Sequence, residues 1–219
     1  MNQYMLIIFD LDGTLADTSE GIFNSIRYTQ EKMGLFPPET DEQMRSHIGP
    51  PVTESYNRIF GLTGERLQQA AAYHKEYALQ KGLYEASLYE GMPELLVQLK
   101  QKYKLAVATL KFEETATQML HHLGIAQYFD IICGAIPGQH TTKLDTLQRA
   151  MQHCETTVAQ TLLVGDSQYD ALGAQQAGID FLAVTYGFGF HTPSEAAEFS
   201  CIGCAEIVED ILIKIELNS

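Results

Sequence analysis

Two aspartates stand directly after the first apolar run of the sequence, in the segment Phe9–Thr14. A carboxylate such as that of Asp10 is normally ionised at neutral pH, so it can act as a nucleophile without a base to activate it. Asp12 follows in the next turn, from which a second carboxyl group could protonate a leaving oxygen. Gly13 permits a tight turn in which backbone amides approach a bound anion. Alone, the same residues could form an ordinary Asp-Gly turn after a strand.

A second pair of acids follows the apolar run of residues 162–165. Asp166 ends this run, and Asp170 stands where a helix is expected to begin. Two acids at this spacing could bind a hard cation, which takes oxygen ligands. The alternative is that Asp166 caps the helix and Asp170 is a first-turn acid favoured by the helix dipole.

Two further polar residues lie between the acidic pairs. Thr109 closes the apolar run of residues 105–108, and Lys143 opens a predicted helix after a loop. Alone, Lys143 would be interpreted as an exposed lysine. However, a lysine at a helix N-terminus is slightly unfavourable for the helix dipole, which suggests another purpose.

Short apolar, β-rich runs alternate with amphipathic stretches, a pattern typical of an α/β fold with a Rossmann-like parallel sheet. The predicted strands are Met5–Phe9, Leu105–Thr109, Ile131–Cys133, Thr161–Gly165 and Phe181–Thr185. The predicted helices are Glu94–Lys102, Glu113–Leu123, Leu144–His153 and Ala171–Ala177. Because ligands of such sheets gather beyond the carboxyl ends of the strands, we expect the polar residues to meet at one edge.

One region breaks this alternation. From Leu15 to Tyr84 nothing resembles a strand, and apolar residues recur at helical spacing. The sequence therefore predicts an α-helical segment of residues 15–84, inserted after the first strand into a core of residues 1–14 and 85–219. Residues 34–40 and the Gly49-Pro50-Pro51 segment are predicted loops, and the second is expected to face Asp10.

The composition of the chain excludes some classes of protein and disfavours some binding partners. Of the 219 residues, 45% are hydrophobic and 19% are charged, which excludes an intrinsically disordered chain. A net charge of -14 disfavours nucleic acid and anionic membrane surfaces as partners. The first apolar run is too short for a signal peptide or a membrane span, so we expect a cytoplasmic protein with reduced cysteines.

Two other motifs remain to be interpreted, a pair of cysteines and a segment rich in glycine and aromatic residues. Cys201 and Cys204 have the spacing of half a zinc site, but no second pair accompanies them. We interpret Cys201 as the end of the last short strand and Cys204 as lying near the start of the C-terminal helix. The alternation of aromatic residues and glycines over residues 186–190 predicts a loop at the sheet edge.

In this order, the motifs resemble the haloacid dehalogenase superfamily of phosphohydrolases. The shared pattern is Asp-x-Asp-Gly-Thr, a threonine at a strand end, a lysine, and Gly-Asp-x-x-x-Asp, and it covers essentially the whole chain. The segment Leu15–Thr18 and the loop Ile48–Pro51 are most similar to the phosphoglycolate-phosphatase-like branch. The resemblance implies that residues 15–84 form an α-helical cap domain.

The resemblance also implies a Mg2+-dependent phosphatase that forms a phosphoaspartate. Asp10 would be the nucleophile, and Asp12 would be the general acid and then the general base. Mg2+ would be held by Asp10, Asp166 and the backbone carbonyl of Asp12. The substrate would be a small phosphorylated metabolite, such as a phosphoglycolate-like ester, a sugar phosphate, a nucleotide or pyrophosphate.

The remaining roles concern the phosphoryl group. The resemblance implies that Thr109 and Lys143 bind its oxygens and that Asp170 orients Lys143 in the second shell. Gly13 and the backbone amide of Leu110 would complete the substrate site. Leu110 stands where this branch often has serine or asparagine, a departure that concerns substrate preference more than catalysis.

Three alternatives stay open. A dehalogenase normally lacks the second acid of the first motif, so Asp12 disfavours it. A phosphomutase resembles a branch with a histidine and basic residues where this chain has Ile22 and Ile48. A non-catalytic phosphate-binding protein is disfavoured because Asp10, Asp12, Lys143 and Asp166 are all present.

Overall fold

The computed structural model describes residues 4–36, 41–45 and 47–218. In chain order, the strands are β1 Leu6–Phe9, β2 Ala16–Asp17, β3 Ser87–Leu88, β4 Lys104–Phe112, β5 Ile131–Ala135, β6 Thr161–Gly165, β7 Asp180–Val184 and β8 Gly203–Ala205. The α-helices are α1 Ser19–Met33, α2 Asp41–Arg45, α3 Val52–Phe60, α4 Gly64–Gln80, α5 Met92–Lys100, α6 Glu113–His122, α7 Lys143–Cys154, α8 Gln168–Ala177, α9 Pro193–Ala196 and α10 Val208–Leu217.

Six strands form one sheet in the order β5-β4-β1-β6-β7-β8, and every neighbouring pair is parallel. The α/β fold predicted from the sequence is therefore confirmed. The one strand whose end differs substantially is β4, which continues past Thr109 to Phe112. Its register with β5 shifts between Ala108 and Phe112, and such an irregularity in strand pairing leaves no mark in the hydrophobic pattern.

Both faces of the sheet are covered. Along β1, Ile7 and Phe9 pack into one apolar cluster, whereas Leu6 and Ile8 pack into a second. All four side chains are fully buried, and each contributes about 1.5–3 kcal/mol through burial. A strand that is apolar on both faces requires a sheet that is covered on both sides, and the strand order places β1 between β4 and β6.

Helices α1 to α4 lie between β1 and β4 in the chain and have a small apolar core of their own. Its buried members are Tyr56, Leu62 and Ala70, with Val52, Phe60 and Leu67 among the partly buried side chains packed on them. Residues 37–40 of the predicted loop 34–40 lie outside the described residues.

The expectation that residues 15–84 contain no strand is wrong at Ala16–Asp17. These residues form β2, which pairs antiparallel with β3: Ala16 lies opposite Leu88 and Asp17 opposite Ser87. The two connections of the helical segment therefore lie side by side. A two-residue strand shows no alternation, and its partner lies far along the chain, so a local pattern could not reveal it.

The interpretation of Cys201 as a strand end and of Cys204 as lying near the start of the C-terminal helix is also wrong. Cys204 lies within β8, and Cys201 precedes this strand. The three residues of β8 include a glycine and are mostly only partly buried, so they carry little strand signal.

None of the described helices is both long enough and apolar enough to cross a membrane.

Candidate active site

The order of the sheet brings the sequence motifs together. Because β4 and β6 flank β1, the parallel strands carry Thr109, Asp10 and Asp166 to neighbouring positions at the same edge. Lys143 and Asp170 come from the first turns of α7 and α8. Both helices begin with a capping box, in which a hydroxyl side chain and an acid satisfy the exposed N–H groups of the first turn.

Lys143 joins two of these acids. Its Nζ lies 2.7 Å from Asp10 Oδ1 and 2.5 Å from Asp170 Oδ1, and it donates to the carbonyl oxygen of Ala108 at 2.6 Å. The three N–H bonds of the ammonium thus have three acceptors. Burial opposes its charge, but the carboxylates of Asp10 and Asp170 outweigh burial and raise the pKa of Lys143. Lys143 is a buried cation, not an exposed helix residue.

The acids themselves carry more charge than Lys143 neutralises. Burial raises the pKa of Asp10 well above its ordinary value; the Lys143 ammonium opposes this shift, and the neighbouring carboxylates add to it. Burial and the Asp170 carboxylate raise the pKa of Asp166 to about 7, against the opposing effect of two backbone N–H groups. Additional positive charge at this edge would therefore favour the ionised form of Asp10.

A divalent cation fits this cluster. One carboxylate oxygen from each of Asp10, Asp166 and Asp170 lies within 4.8 Å of the others, and all three residues are buried. Hard oxygen donors are the ligands that Mg2+ prefers. The oxygens of Asp170 already bind Lys143 and the backbone N–H and hydroxyl of Ser167. Asp10 and Asp166 also have partners within the protein, so the three acids together form the candidate cation site.

Asp166 is held by a loop whose role was not identified from the sequence. Its Oδ2 accepts hydrogen bonds from the N–H groups of Phe188 at 2.7 Å and Gly189 at 3.0 Å. A Cβ atom on Gly187 would lie 2.2 Å from the Gly13 carbonyl oxygen and 2.5 Å from Asp166 Oδ2. The glycines of residues 186–190 therefore allow the backbone to approach the acid, and their spacing is the signal that could have indicated this role.

Gly13 also allows the backbone to approach Asp166, here from the turn that follows β1. Its φ of +83° lies in the left-handed region, and an added Cβ would lie 2.3 Å from Asp166 Oδ2. Its N–H donates to the carbonyl oxygen of Ala16 at 3.0 Å. Gly13 therefore shapes the turn against Asp166, and its own amide is engaged within that turn.

Asp12 has two partners. Its Oδ1 accepts a hydrogen bond from the Thr18 hydroxyl at 2.5 Å and lies 3.0 Å from Lys111 Nζ. The sequence motifs assign a role to neither Thr18 nor Lys111. Thr18 precedes α1 at the entrance to the helical segment, and Lys111 lies near the end of β4. No short motif links them, because they meet only through the sheet and the insertion.

Thr109 and Leu110 line a cavity between the sheet edge and the helical segment. The cavity has a volume of about 60 Å³, with Asp10, Asp12 and Lys143 on the core side and Gly49 and Pro50 among the residues from the insertion. The predicted loop at residues 49–51 thus reaches the space in front of the nucleophile. The Thr109 hydroxyl accepts a hydrogen bond from the N–H of Lys111 at 3.2 Å.

We expect Lys143→Met to lower the free energy of unfolding by about 3–5 kcal/mol, because buried carboxylates lose their positive partner. Urea unfolding measures this loss. Lys102→Met is a matched control: Lys102 Nζ pairs with Glu216 at 2.7 Å, but these side chains are 58% and 50% exposed. The control should lose much less stability, since exposed ion pairs contribute little. Equal losses would contradict the assignment of Lys143 as the buried counter-charge.

Comparison with known proteins agrees with this geometry. The sequence profile of the haloacid dehalogenase-like hydrolases matches residues 7–184. The chain is 40% identical over 188 residues to the tyrosine-protein kinase PtkA of Mycobacterium tuberculosis, a match covering 84% of this chain and 63% of PtkA. It thus spans less than two thirds of that relative's length.

Two further relatives match over most of their length. The chain is 32% identical over 189 residues to a 5'-nucleotidase of Pseudomonas aeruginosa, covering 85% of each. Its fold matches the haloacid dehalogenase-like protein SP0104 of Streptococcus pneumoniae with a TM-score of 0.88 and 33% identity, covering 97% of this chain and 99% of that one. The chain belongs to the haloacid dehalogenase-like hydrolase family.

Proposed function

We propose that this protein is a Mg2+-dependent phosphatase that hydrolyses a small phosphate monoester through a phosphoaspartate at Asp10. The observation that carries this proposal is the position of Asp10, which is bound to Lys143 at 2.7 Å and lines a cavity that Asp12 also lines. The family contains hydrolases, and this arrangement supplies a nucleophile, a proton donor and charge for a phosphoryl group.

In the first step, the Asp10 carboxylate attacks phosphorus and the bond between phosphorus and the ester oxygen breaks. Asp12 transfers its proton to the departing oxygen, so the leaving group departs as an alcohol. Lys143 neutralises charge on the phosphoryl oxygens, and the hydroxyl of Thr109 and the amide of Leu110 orient them. Gly13 contributes through the shape of the turn. Phosphoryl transfer requires chiefly this positioning and charge stabilisation.

In the second step, water attacks the phosphorus of the acyl phosphate. Asp12, now a carboxylate, accepts a proton from that water, and the bond between phosphorus and the Asp10 oxygen breaks. Inorganic phosphate leaves, and both aspartates return to their starting forms. The contacts of Thr18 and Lys111 with Asp12 keep the carboxyl group in place through both steps.

Asp10, Asp166 and the backbone carbonyl of Asp12 would hold Mg2+. When bound, the ion supplies positive charge beside the phosphoryl oxygens. The N–H groups of Phe188 and Gly189 hold the Asp166 carboxylate, and the Asp170 carboxylate holds the Lys143 ammonium. The proposed metal ligand Asp166 and the Lys143 ammonium therefore keep separate positions.

We further propose that residues 15–84 act as a cap on a core of residues 1–14 and 85–219. Besides the β2–β3 pairing and the contact of Thr18 with Asp12, two side-chain contacts join these parts: the Tyr169 hydroxyl donates to Glu54 Oε1 at 3.0 Å, and Lys75 Nζ lies 2.7 Å from Glu114 Oε2. Closure excludes bulk water and strengthens the charge interactions inside.

Rates on small phosphate esters, a nucleoside monophosphate, a folded phosphoprotein and a phosphorylated DNA duplex test this proposal. We expect the small esters to react at least ~100-fold faster than either macromolecule, because a closed cap excludes bulky substrates. The charge of -14 disfavours the duplex independently. If the phosphoprotein reacted fastest, the argument from the cap would be wrong. If no ester reacted, a phosphate-binding protein would be the better description.

A further inference from the structure

Lys111 brings a positive charge into the cavity beside Asp12. Its Nζ lies 3.0 Å from Asp12 Oδ1, and the two side chains are only 13% and 12% exposed. Among the residues that the structure describes, Asp12 is the one acid within ion-pair distance of this ammonium. An ammonium has three N–H donors, so Lys111 retains donors for a bound molecule.

We propose that Lys111 determines substrate specificity by binding a second anionic group, a carboxylate or a phosphoryl group, on the leaving group. The inference rests on the proposed phosphatase function and narrows its substrate class. Asp12 must approach the ester oxygen to within about 3 Å to protonate it. Lys111 Nζ lies 3.0 Å from the same carboxylate, so an anionic group a few bonds beyond the ester oxygen comes within its reach.

The cavity walls are also prepared for a polar ligand. Four buried side-chain polar atoms have no hydrogen-bond partner among the described residues, and three of them belong to cavity-lining side chains: His47 Nε2, Ser55 Oγ and Thr115 Oγ1. All three residues line the cavity that contains Lys111. A buried polar group without a partner costs about 1–3 kcal/mol, and a ligand with several oxygen atoms would supply partners.

The charge that selects an anion comes from lysine and not from histidine. Burial lowers the pKa of His47 to about 4 and that of His74 to about 3, and nearby cations add to both shifts. Both imidazoles are therefore neutral at neutral pH.

Lys75 is the natural control because it lines the same cavity in a different charge environment. Its Nζ lies 2.7 Å from Glu114 Oε2, and its side chain is 29% exposed. Both lysines are paired with an acid, but the partner of Lys75 does not line the cavity, and the Lys75 charge is more strongly screened by solvent than that of Lys111.

The test measures kcat/KM for 2-phosphoglycolate, pyrophosphate and ethyl phosphate. The first two carry an additional carboxylate or phosphoryl group, and ethyl phosphate carries neither. For each enzyme, the quantity of interest is the kcat/KM of an anionic substrate divided by that of ethyl phosphate. The enzymes are the wild type, Lys111→Met, Lys111→Arg and Lys75→Met, all with Mg2+, and circular dichroism verifies their folding.

We expect Lys111→Met to lower this ratio by about 10- to 100-fold, the size of a hydrogen bond to a charged group. Lys111→Arg, which keeps the charge, should retain most of the ratio, and Lys75→Met should change it by less than about threefold. A fall for only one of the anions would support the proposal and identify the group that is bound. Lys111→Gln replaces Lys111→Met if the latter does not fold.

Several results would overturn the inference. An unchanged ratio in Lys111→Met, or an equal loss on all three substrates, would limit Lys111 to its contact with Asp12. An equal fall in Lys75→Met would remove the assignment to Lys111. If the wild type hydrolysed ethyl phosphate as well as the anionic substrates, the inference would fail while the proposed function stood. If it hydrolysed none of the three but did hydrolyse a nucleoside monophosphate or a sugar phosphate, the inference would again fail alone; if it hydrolysed none of these esters, the proposed function would fail.

Discussion

Asp10→Asn is expected to lower kcat by at least ~10⁴-fold, the scale seen when a nucleophile is removed from a covalent catalyst. The amide has nearly the same shape as the carboxylate but does not attack phosphorus. Among the described residues that line the cavity, Asp12 and Asp170 are the other carboxylates, and both are engaged: Asp12 with Thr18 and Lys111, and Asp170 with Lys143 and Ser167. Neither can take over the role of nucleophile.

Loss of activity must be separated from loss of fold. Lys143 retains Asp170 in the variant, so we expect Asp10→Asn to unfold cooperatively at close to the wild-type temperature. Asp210→Asn, a change at the start of α10 and away from the cavity, is the matched control for turnover. Rapid acid quenching after addition of 32P-labelled substrate should trap label on the wild type and not on Asp10→Asn. Near-normal turnover in folded Asp10→Asn would refute the covalent mechanism.

Removal of divalent cations with excess chelator is expected to reduce activity to below ~1% of its value in Mg2+, since an ion of this kind supplies several kcal/mol of charge stabilisation. Ca2+ should inhibit, because it accepts more ligands and can engage both oxygens of the Asp10 carboxylate. Adding Mg2+ back after chelation should restore the rate. Full activity in the chelator would contradict the prediction.

The same ion should also be visible without turnover. We expect saturating Mg2+ to raise the unfolding temperature of the wild type, because a ligand that binds the folded state stabilises it. Asp166→Asn should abolish most of this shift, whereas Asp210→Asn should retain it. An equal shift in Asp166→Asn would show that the stabilising ion binds elsewhere.

Much of the fold could be predicted because the decisive signals are local. Leu6, Ile7, Ile8 and Phe9 form a continuous apolar run, and a strand buried on both faces requires such a run. The β2 strand could not be predicted, because its two residues become a strand only by pairing with residues 87–88. Similarly, the extension of β4 beyond Thr109 depends on its irregular pairing with β5.

The candidate site also has parts that local sequence patterns predict and parts that they do not. Each acid stands at the end of an apolar run, so its place at the sheet edge follows from the pattern. The contact of Lys111 with Asp12 and that of Phe188 with Asp166 join different elements, and only the packed structure brings them together. The prediction for Lys143 was only partly possible. Its position at the start of a helix could be predicted, but its burial among acids depends on the neighbouring α8.

The pairing of β2 with β3 has a consequence for how this architecture can diversify. Because Ala16 lies opposite Leu88, the two ends of the inserted segment lie side by side in a strand pair that is only two residues long. A segment of another length could be spliced between these strands without altering the order of the sheet, since insertions are best tolerated where their two ends are adjacent. The edge that carries the acids and the inserted segment can therefore vary largely independently of each other. A replacement segment would still have to supply a hydroxyl group for Asp12, because Thr18 lies inside the insertion.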